Sequence, residues 1–280
     1  MQRIKSIQEV RKELEFVKSA GKKIALVPTM GFLHEGHLSL IDKAQEIADF
    51  IVVSVYVNPT QFGLSEDFNG YPKDFERDAT LCEERGVHLV FEPSNEVMYP
   101  DNFSTYVEED KLSSVMCGVS RPTHFKGVTT IIMKLFNIIQ PDFAVFGNKD
   151  MQQVAVIRKM VHDLNLNLQV VTSPTVREPD GLAMSSRNIR LDEPKRIAAL
   201  NIYRAMSEGR KLVNKGFLNS DRVIAEVIHQ MSTTRILRVI YVSIVDRDTM
   251  EPMREVVEGR SVLCVAAWVE QVRLIDNLEF

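Results

Sequence analysis

The chain has 280 residues, 45% hydrophobic and 26% charged, with a formal net charge of -4. This is a globular composition with enough chain for one large domain or two modest ones, and it offers no basic footprint for nucleic acid and no polybasic membrane patch. Three widely spaced cysteines, Cys82, Cys117 and Cys264, suggest neither a disulfide framework nor a zinc site; with a charged N-terminus lacking a signal peptide's apolar core and no stretch long enough to span a bilayer, a cytoplasmic location is expected.

Residues 3–20 carry Ile4, Ile7, Val10, Leu14 and Val17 on one stripe, which predicts an amphipathic helix ended by Gly21. A short buried strand (24–29), a helix (34–48) and a continuous apolar strand (50–57) follow. A helix over 73–85 precedes a short strand in HLVFEP, a helix near 126–139 precedes a strand at 142–147, and a helix near 150–163 precedes a strand at 168–171. This alternation predicts a Rossmann-like α/β fold, a parallel sheet with helices on both faces and a ligand crevice along one edge. After Asp180 the pattern changes: two helices (193–214 and 220–232), then three apolar segments able to pair as antiparallel strands. The expected division is a Rossmann-like domain over 1–176 and a smaller C-terminal α+β domain over 177–280.

PTMGFLHEGHLSL (28–40) runs from a strand end through glycines into a helix start that carries His34 and His37. A helix N-terminus offers unpaired N–H groups and a positive dipole end suited to phosphate, and imidazoles three apart share one helix face. Each ring can donate to a phosphate oxygen, which helps most as charge builds in a transition state. The form resembles the nucleotide-binding signature of nucleotidylyl transferases and class I aminoacyl-tRNA synthetases.

Other clusters fall at the ends of predicted strands. VNPTQF (57–62) brings the amides of Asn58 and Gln61, suited to a hydroxy acid. FGNKDMQQ (146–153) brings a turn at Gly147, the point charge of Lys149, Asp150 as ligand group or helix cap, and Gln153 one turn on. DGLAMSSRN (180–188) places Ser185, Ser186 and Arg187 where they could close over phosphates, and RPTHFKGV (121–128) adds Arg121 and His124 as a carboxylate site or a basic turn.

Taken with YPKDFERD, VIRKMV and the C-terminal VAAWVEQVRLIDN, these blocks resemble, in order and over nearly the whole chain, the pantothenate synthetase family. That resemblance implies a ligase that uses ATP and magnesium to condense pantoate with beta-alanine through a pantoyl-adenylate, giving pantothenate, AMP and pyrophosphate for coenzyme A synthesis. It also implies a homodimer and a small C-terminal domain acting as a lid. It places Met30, Gly31, Phe32, Leu33, His34, Glu35, Gly36 and His37 at ATP, with Gly147, Asn148, Lys149, Asp150, Val176, Met184, Ser185, Ser186 and Arg187. Gln61 and Gln153 would bind pantoate, Gln61 also lying near beta-alanine, and His37 would donate a proton or stabilise charge. Thr123, Lys126 and Asn148 depart from the family pattern, where Gly, Arg and Glu are frequent.

From the residues, His34, His37, Lys149 and Arg187 are the expected catalytic set, acting on ATP phosphates without a covalent nucleophile, while the loop 62–72 and the second domain close the site against water. A nucleotidyltransferase acting on a phosphate ester fits Gln61, Gln153 and the MSSRN loop less well. A tRNA synthetase would need an RNA-binding extension, a silent nucleotide sensor would not need His34, His37 and Lys149, and a dinucleotide oxidoreductase would carry G-x-G-x-x-G after the first strand.

Overall fold

A computed structural model describes residues 1–63 and 66–280, so part of the expected 62–72 closure loop lies outside the described residues. Strand β1 (Gln2–Ile4) opens the chain and helix α1 (Ile7–Ser19) follows it. The expected helix from residue 3 is therefore corrected: Ser6, with its Oγ accepting from Glu9 N, caps α1 and leaves residues 2–4 to pair parallel with a later strand. A three-residue strand is too short to display a period of its own.

Next come β2 (Ile24–Thr29), α2 (Glu35–Gln45), β3 (Phe50–Val55), α3 (Phe75–Glu84), β4 (Leu89–Phe91), the short helices α4 (Asn95–Met98) and α5 (Cys117–Ser120), α6 (His124–Ile139), β5 (Phe143–Gly147), α7 (Met151–Asp163) and β6 (Gln169–Ser173). The six strands form one parallel sheet in the order β1-β4-β3-β2-β5-β6. Alternate residues of β2 supply both faces. Ile24 and Leu26 pack with α1 and α6, whereas Ala25 and Val27 pack with α2. Burial on both sides is why these strands read as unbroken apolar runs rather than alternating ones.

From β2 the chain builds outward to β3 and β4 on one side, then returns to add β5 and β6 on the other. The order reverses between β2 and β5, and at such a switch point the connecting loops diverge and leave a crevice beyond the carboxyl ends of the strands. Here those ends lead into residues 30–37 and 147–150.

The rest of the chain forms α8 (Glu193–Asn214), α9 (Ser220–Ser232) and an antiparallel sheet of β7 (Leu237–Asp246), β8 (Ser261–Val269) and β9 (Val272–Glu279). Leu263 and Val265 of β8 pack with α8 and α9, while Val262 and Cys264 pack with Cys117 of α5 and with Met151 and Val156 of α7. That second cluster seats the small sheet on α5 and α7. Cys82, Cys117 and Cys264 are all buried and reduced.

An ion pair reinforces the joint. Arg177 donates to both carboxylate oxygens of Asp276 on β9, at 2.6 and 2.9 Å, with its guanidinium 4.0 Å from the centre of the Tyr203 ring. Asp276 is buried, so removing one partner strands the other's charge away from water. Asp276→Ala is expected to cost about 3 kcal/mol in chemical denaturation, and Arg177→Met/Asp276→Leu together much less than the sum of the single changes.

Candidate active site

A cavity of about 610 Å³ opens at the switch point and is walled by both sheets. Its floor is the turn between β2 and α2. Phe32 has a left-handed backbone (φ 50°) and would be costly there alone. The buried Asp78 carboxylate of α3 accepts from Phe32 N and Leu33 N, each at 2.7 Å, and so holds the turn from below. Burial pushes the Asp78 pKa up despite these two donors. Ser186 adds a bond from above, donating to the Phe32 carbonyl at 3.2 Å.

His34 is the N-cap of α2. Its Nδ1 accepts from Gly36 N at 3.1 Å, and its own N–H donates to His37 Nδ1 at 3.3 Å. Gly36 is required for this fold-back, because a Cβ there would lie 2.9 Å from the His34 ring. Burial and then the Lys149 ammonium hold the His34 imidazole at about 4, while burial, His34 and Lys149 hold His37 well below its ordinary value. A neutral ring accepting at Nδ1 carries its proton on Nε2. Both rings, with centres 4.1 Å apart, therefore line the cavity as neutral Nε2–H donors. The cap consumes the Gly36 N–H, so this amide is not among the free helix-start donors expected from the sequence.

Lys149 stands opposite, in the one-turn 3-10 helix Asn148–Asp150 that follows β5. Asn277 of β9 holds this turn by donating to the Asn148 and Lys149 carbonyls at 2.8 and 2.9 Å. Asp150 is the N-cap residue of α7 but makes no side-chain cap bond; its carboxylate lies 3.8 Å from Lys149 Nζ. The capping role considered for it is thus not used.

Asn58, read as a substrate ligand, has a different task. Its amide donates to Gln61 Oε1 and to the Gly127 carbonyl, each at 3.1 Å, and its oxygen accepts from Thr60 and Tyr99. All four of its hydrogen-bonding sites are taken. Asn58 fixes the Gln61 amide so that Nε2 faces the Met30 sulfur, 2.8 Å away. Arg121 and His124, considered as carboxylate ligands, both donate to the Gln61 carbonyl, at 3.2 and 2.9 Å. Arg121 is also held by both oxygens of Glu66. Burial and then Arg121 lower His124 to about 3. These three residues line the cavity, yet their polar groups serve to shape Gln61.

Arg187 likewise meets Asp67, at 3.1 and 3.0 Å, and Arg190 joins the same carboxylate at 2.6 Å. Burial pushes Asp67 up, but the two guanidiniums win and keep it below the carboxylate range. Ser185 caps its turn by accepting from Arg187 N, and Met184 N bonds the Val176 carbonyl.

Of the expected residues, Met30, His34, Gly36, His37, Gln61 and Asn58 line the cavity from one side, and Gly147, Lys149, Asp150 and Gln153 from another. Val176, Met184, Ser185, Ser186 and Arg187 complete the wall with Arg121 and His124. Gly31, Phe32, Leu33, Glu35 and Asn148 do not line it. Gly31 and Phe32 shape the turn, Leu33 is in the core, Glu35 is exposed beside Arg85, and the Asn148 amide donates to Glu279. Sequence reading missed Glu66, Asp67, Tyr71, Asp78 and Asn277. Tyr71 and Asp78 sit within YPKDFERD, and Asn277 ends VRLIDN; each lay in a block already singled out, without a spacing to mark it.

The comparisons with known proteins agree with one another. The family model for pantoate-beta-alanine ligase matches residues 2–279. A pantothenate synthetase of Thermotoga petrophila is 49% identical over 277 residues, 99% of each chain. The crystal structure of pantothenate synthetase from Thermus thermophilus superposes with a TM-score of 0.95 at 41% identity, over 100% of this chain and 99% of that one. A pantoate-beta-alanine ligase from Francisella tularensis, solved with beta-gamma ATP and beta-alanine, superposes at 0.81 with 30% identity, over 100% and 97%.

Gly127 lies against the turn that carries Gln61, and an added Cβ would sit 2.3 Å from the Thr60 carbonyl. Gly127→Ala is expected to destabilise the fold by about 1–3 kcal/mol, read by thermal unfolding, and to loosen ligand binding at Gln61. The histidine tautomers are checked by long-range proton–nitrogen NMR, where His34 and His37 are expected to show Nε2–H signals at neutral pH. Because His34 is held at about 4 against an ordinary 6.5, the stability that it contributes is present above 6.5 and is lost as pH falls through 4.

Proposed function

The chain belongs to the pantoate-beta-alanine ligase family, and on that premise we propose that it is an ATP-dependent ligase that joins pantoate to beta-alanine through a pantoyl-adenylate. The products are pantothenate, AMP and pyrophosphate. The observation that carries this reading is the pair of neutral Nε2–H donors, His34 and His37, in one cavity with Lys149, Gln61 and Gln153.

The acid's carboxylate oxygen attacks the α-phosphorus of ATP, a P–O bond forms, and the bond to the β-phosphate breaks with its electrons leaving on pyrophosphate. Neutral imidazole donors suit this step. They hydrogen-bond oxygens that gain charge, and they add no proton that would have to leave again. Lys149 balances charge on the phosphates. Gln61 and Gln153 orient the hydroxy acid, and Met30 covers it. The amine then attacks the acyl carbon, the acyl–oxygen bond breaks, AMP leaves, and the nitrogen gives up a proton. The small sheet, docked over the crevice through β9, fits the role of a lid that keeps water from the mixed anhydride.

Magnesium suits the site as a companion of the nucleotide. The described residues hold no group of three or more metal-ligating side chains, while Asp150 is a cavity carboxylate beside Lys149 that no guanidinium engages. One carboxylate plus phosphate oxygens is a usual magnesium environment, and the ion when bound neutralises phosphate charge.

The test is incubation with ATP, magnesium, pantoate and beta-alanine, with AMP separated from ADP. Steady AMP and pyrophosphate production that requires both acid and amine is expected. Formation of ADP, or no AMP under any combination, overturns the reading.

A further inference from the structure

The amine substrate of such a ligase is a zwitterion. Its nitrogen must reach the acyl carbon near Gln61 and Gln153, which leaves a carboxylate two methylenes away to be met by a cation. Arg121 is engaged by both oxygens of Glu66, and the His124 Nδ1–H is spent on the Gln61 carbonyl. Arg273 of β9 is different. It lines the main cavity and also a smaller one of about 50 Å³ that adjoins it beside Arg121, His124 and Gln153.

Its Nη2 donates only to neutral acceptors, Ser120 Oγ at 3.2 Å and Cys117 Sγ at 3.4 Å. Its Nε is fully covered and has no hydrogen-bond partner among the described residues. The guanidinium thus meets no carboxylate among the described residues, and a planar carboxylate entering from the cavity is the acceptor that fits its terminal nitrogens. The ion-paired Arg121 and Arg187 of the same cavity show the contrast.

We propose that Arg273, with the Ser120 hydroxyl beside it, is the subsite for the carboxylate of the amine substrate, supplied by the C-terminal sheet. This rests on the ligase reading. It makes Arg273 the group that selects an amino acid over a simple amine, while adenylation proceeds without it.

The test uses Arg273→Gln and Arg273→Lys in two assays, pantoate-dependent exchange of pyrophosphate into ATP without amine, and condensation at varied beta-alanine. Arg273→Gln is expected to keep exchange within about twofold while raising KM for beta-alanine about 10–100-fold, with Arg273→Lys between it and the unmodified enzyme. Beta-alaninamide, which lacks the charge, is expected to be used equally by unmodified enzyme and Arg273→Gln. An unchanged KM for beta-alanine in Arg273→Gln overturns the subsite, as does loss of exchange in both variants in step with condensation. If the unmodified enzyme shows no exchange, the ligase reading itself fails.

Discussion

The site hangs on the Asp78 carboxylate. It is buried, it belongs to α3 rather than to the nucleotide turn, and it accepts two successive backbone N–H groups from the segment that joins β2 to α2. Without it, Phe32 would have little reason to hold a left-handed backbone, and the cap geometry that begins two residues later would lose its anchor. The capping arrangement sets the histidine tautomers, and the tautomers decide that both rings donate. A carboxylate that never reaches the cavity therefore sets the polarity of its floor.

A second level of support comes from the C-terminal strand. Asn277 holds the Lys149 turn by its carbonyls, Asp276 on the same strand anchors Arg177, and Arg273 enters the cavity from its other end. One strand thus braces the cation opposite the histidines and fixes the start of the segment that leads to Ser185 and Arg187. The apolar seam in which Val262 and Cys264 of β8 and Ile275 of β9 meet Met151 and Val156 holds that strand against α7. Precision in the crevice comes from the packing of the small sheet against α7 as much as from the loops that line it.

Much of this was legible in the sequence. The continuous apolar run of β3 declared a strand covered on both faces, and α8 and α9 fall at their expected limits. The turn with His34 and His37 and the turn with Lys149 converge as their positions at strand ends required. What was hidden depends on partners distant in sequence. Whether Asn58 meets a ligand or saturates itself against Gly127 and Tyr99 cannot be judged from Asn58 and its neighbours. Arg121 and Arg187 read as free cations because Glu66 and Asp67 lie more than fifty residues earlier. β1 escaped because it takes its identity from pairing with β4 rather than from any pattern of its own.

The buried cysteines carry a practical consequence. Burial pushes the thiols of Cys82 and Cys264 up to about 12. At neutral pH both sulfurs are held as thiols rather than as the thiolates that alkylating reagents attack. Cys82 sits in the core against the large sheet and Cys264 in the seam between the small sheet and α7. Reagent uptake at the first position reports opening of the core, and uptake at the second reports parting of the small sheet from α7, so the chain carries separate labels for two kinds of opening.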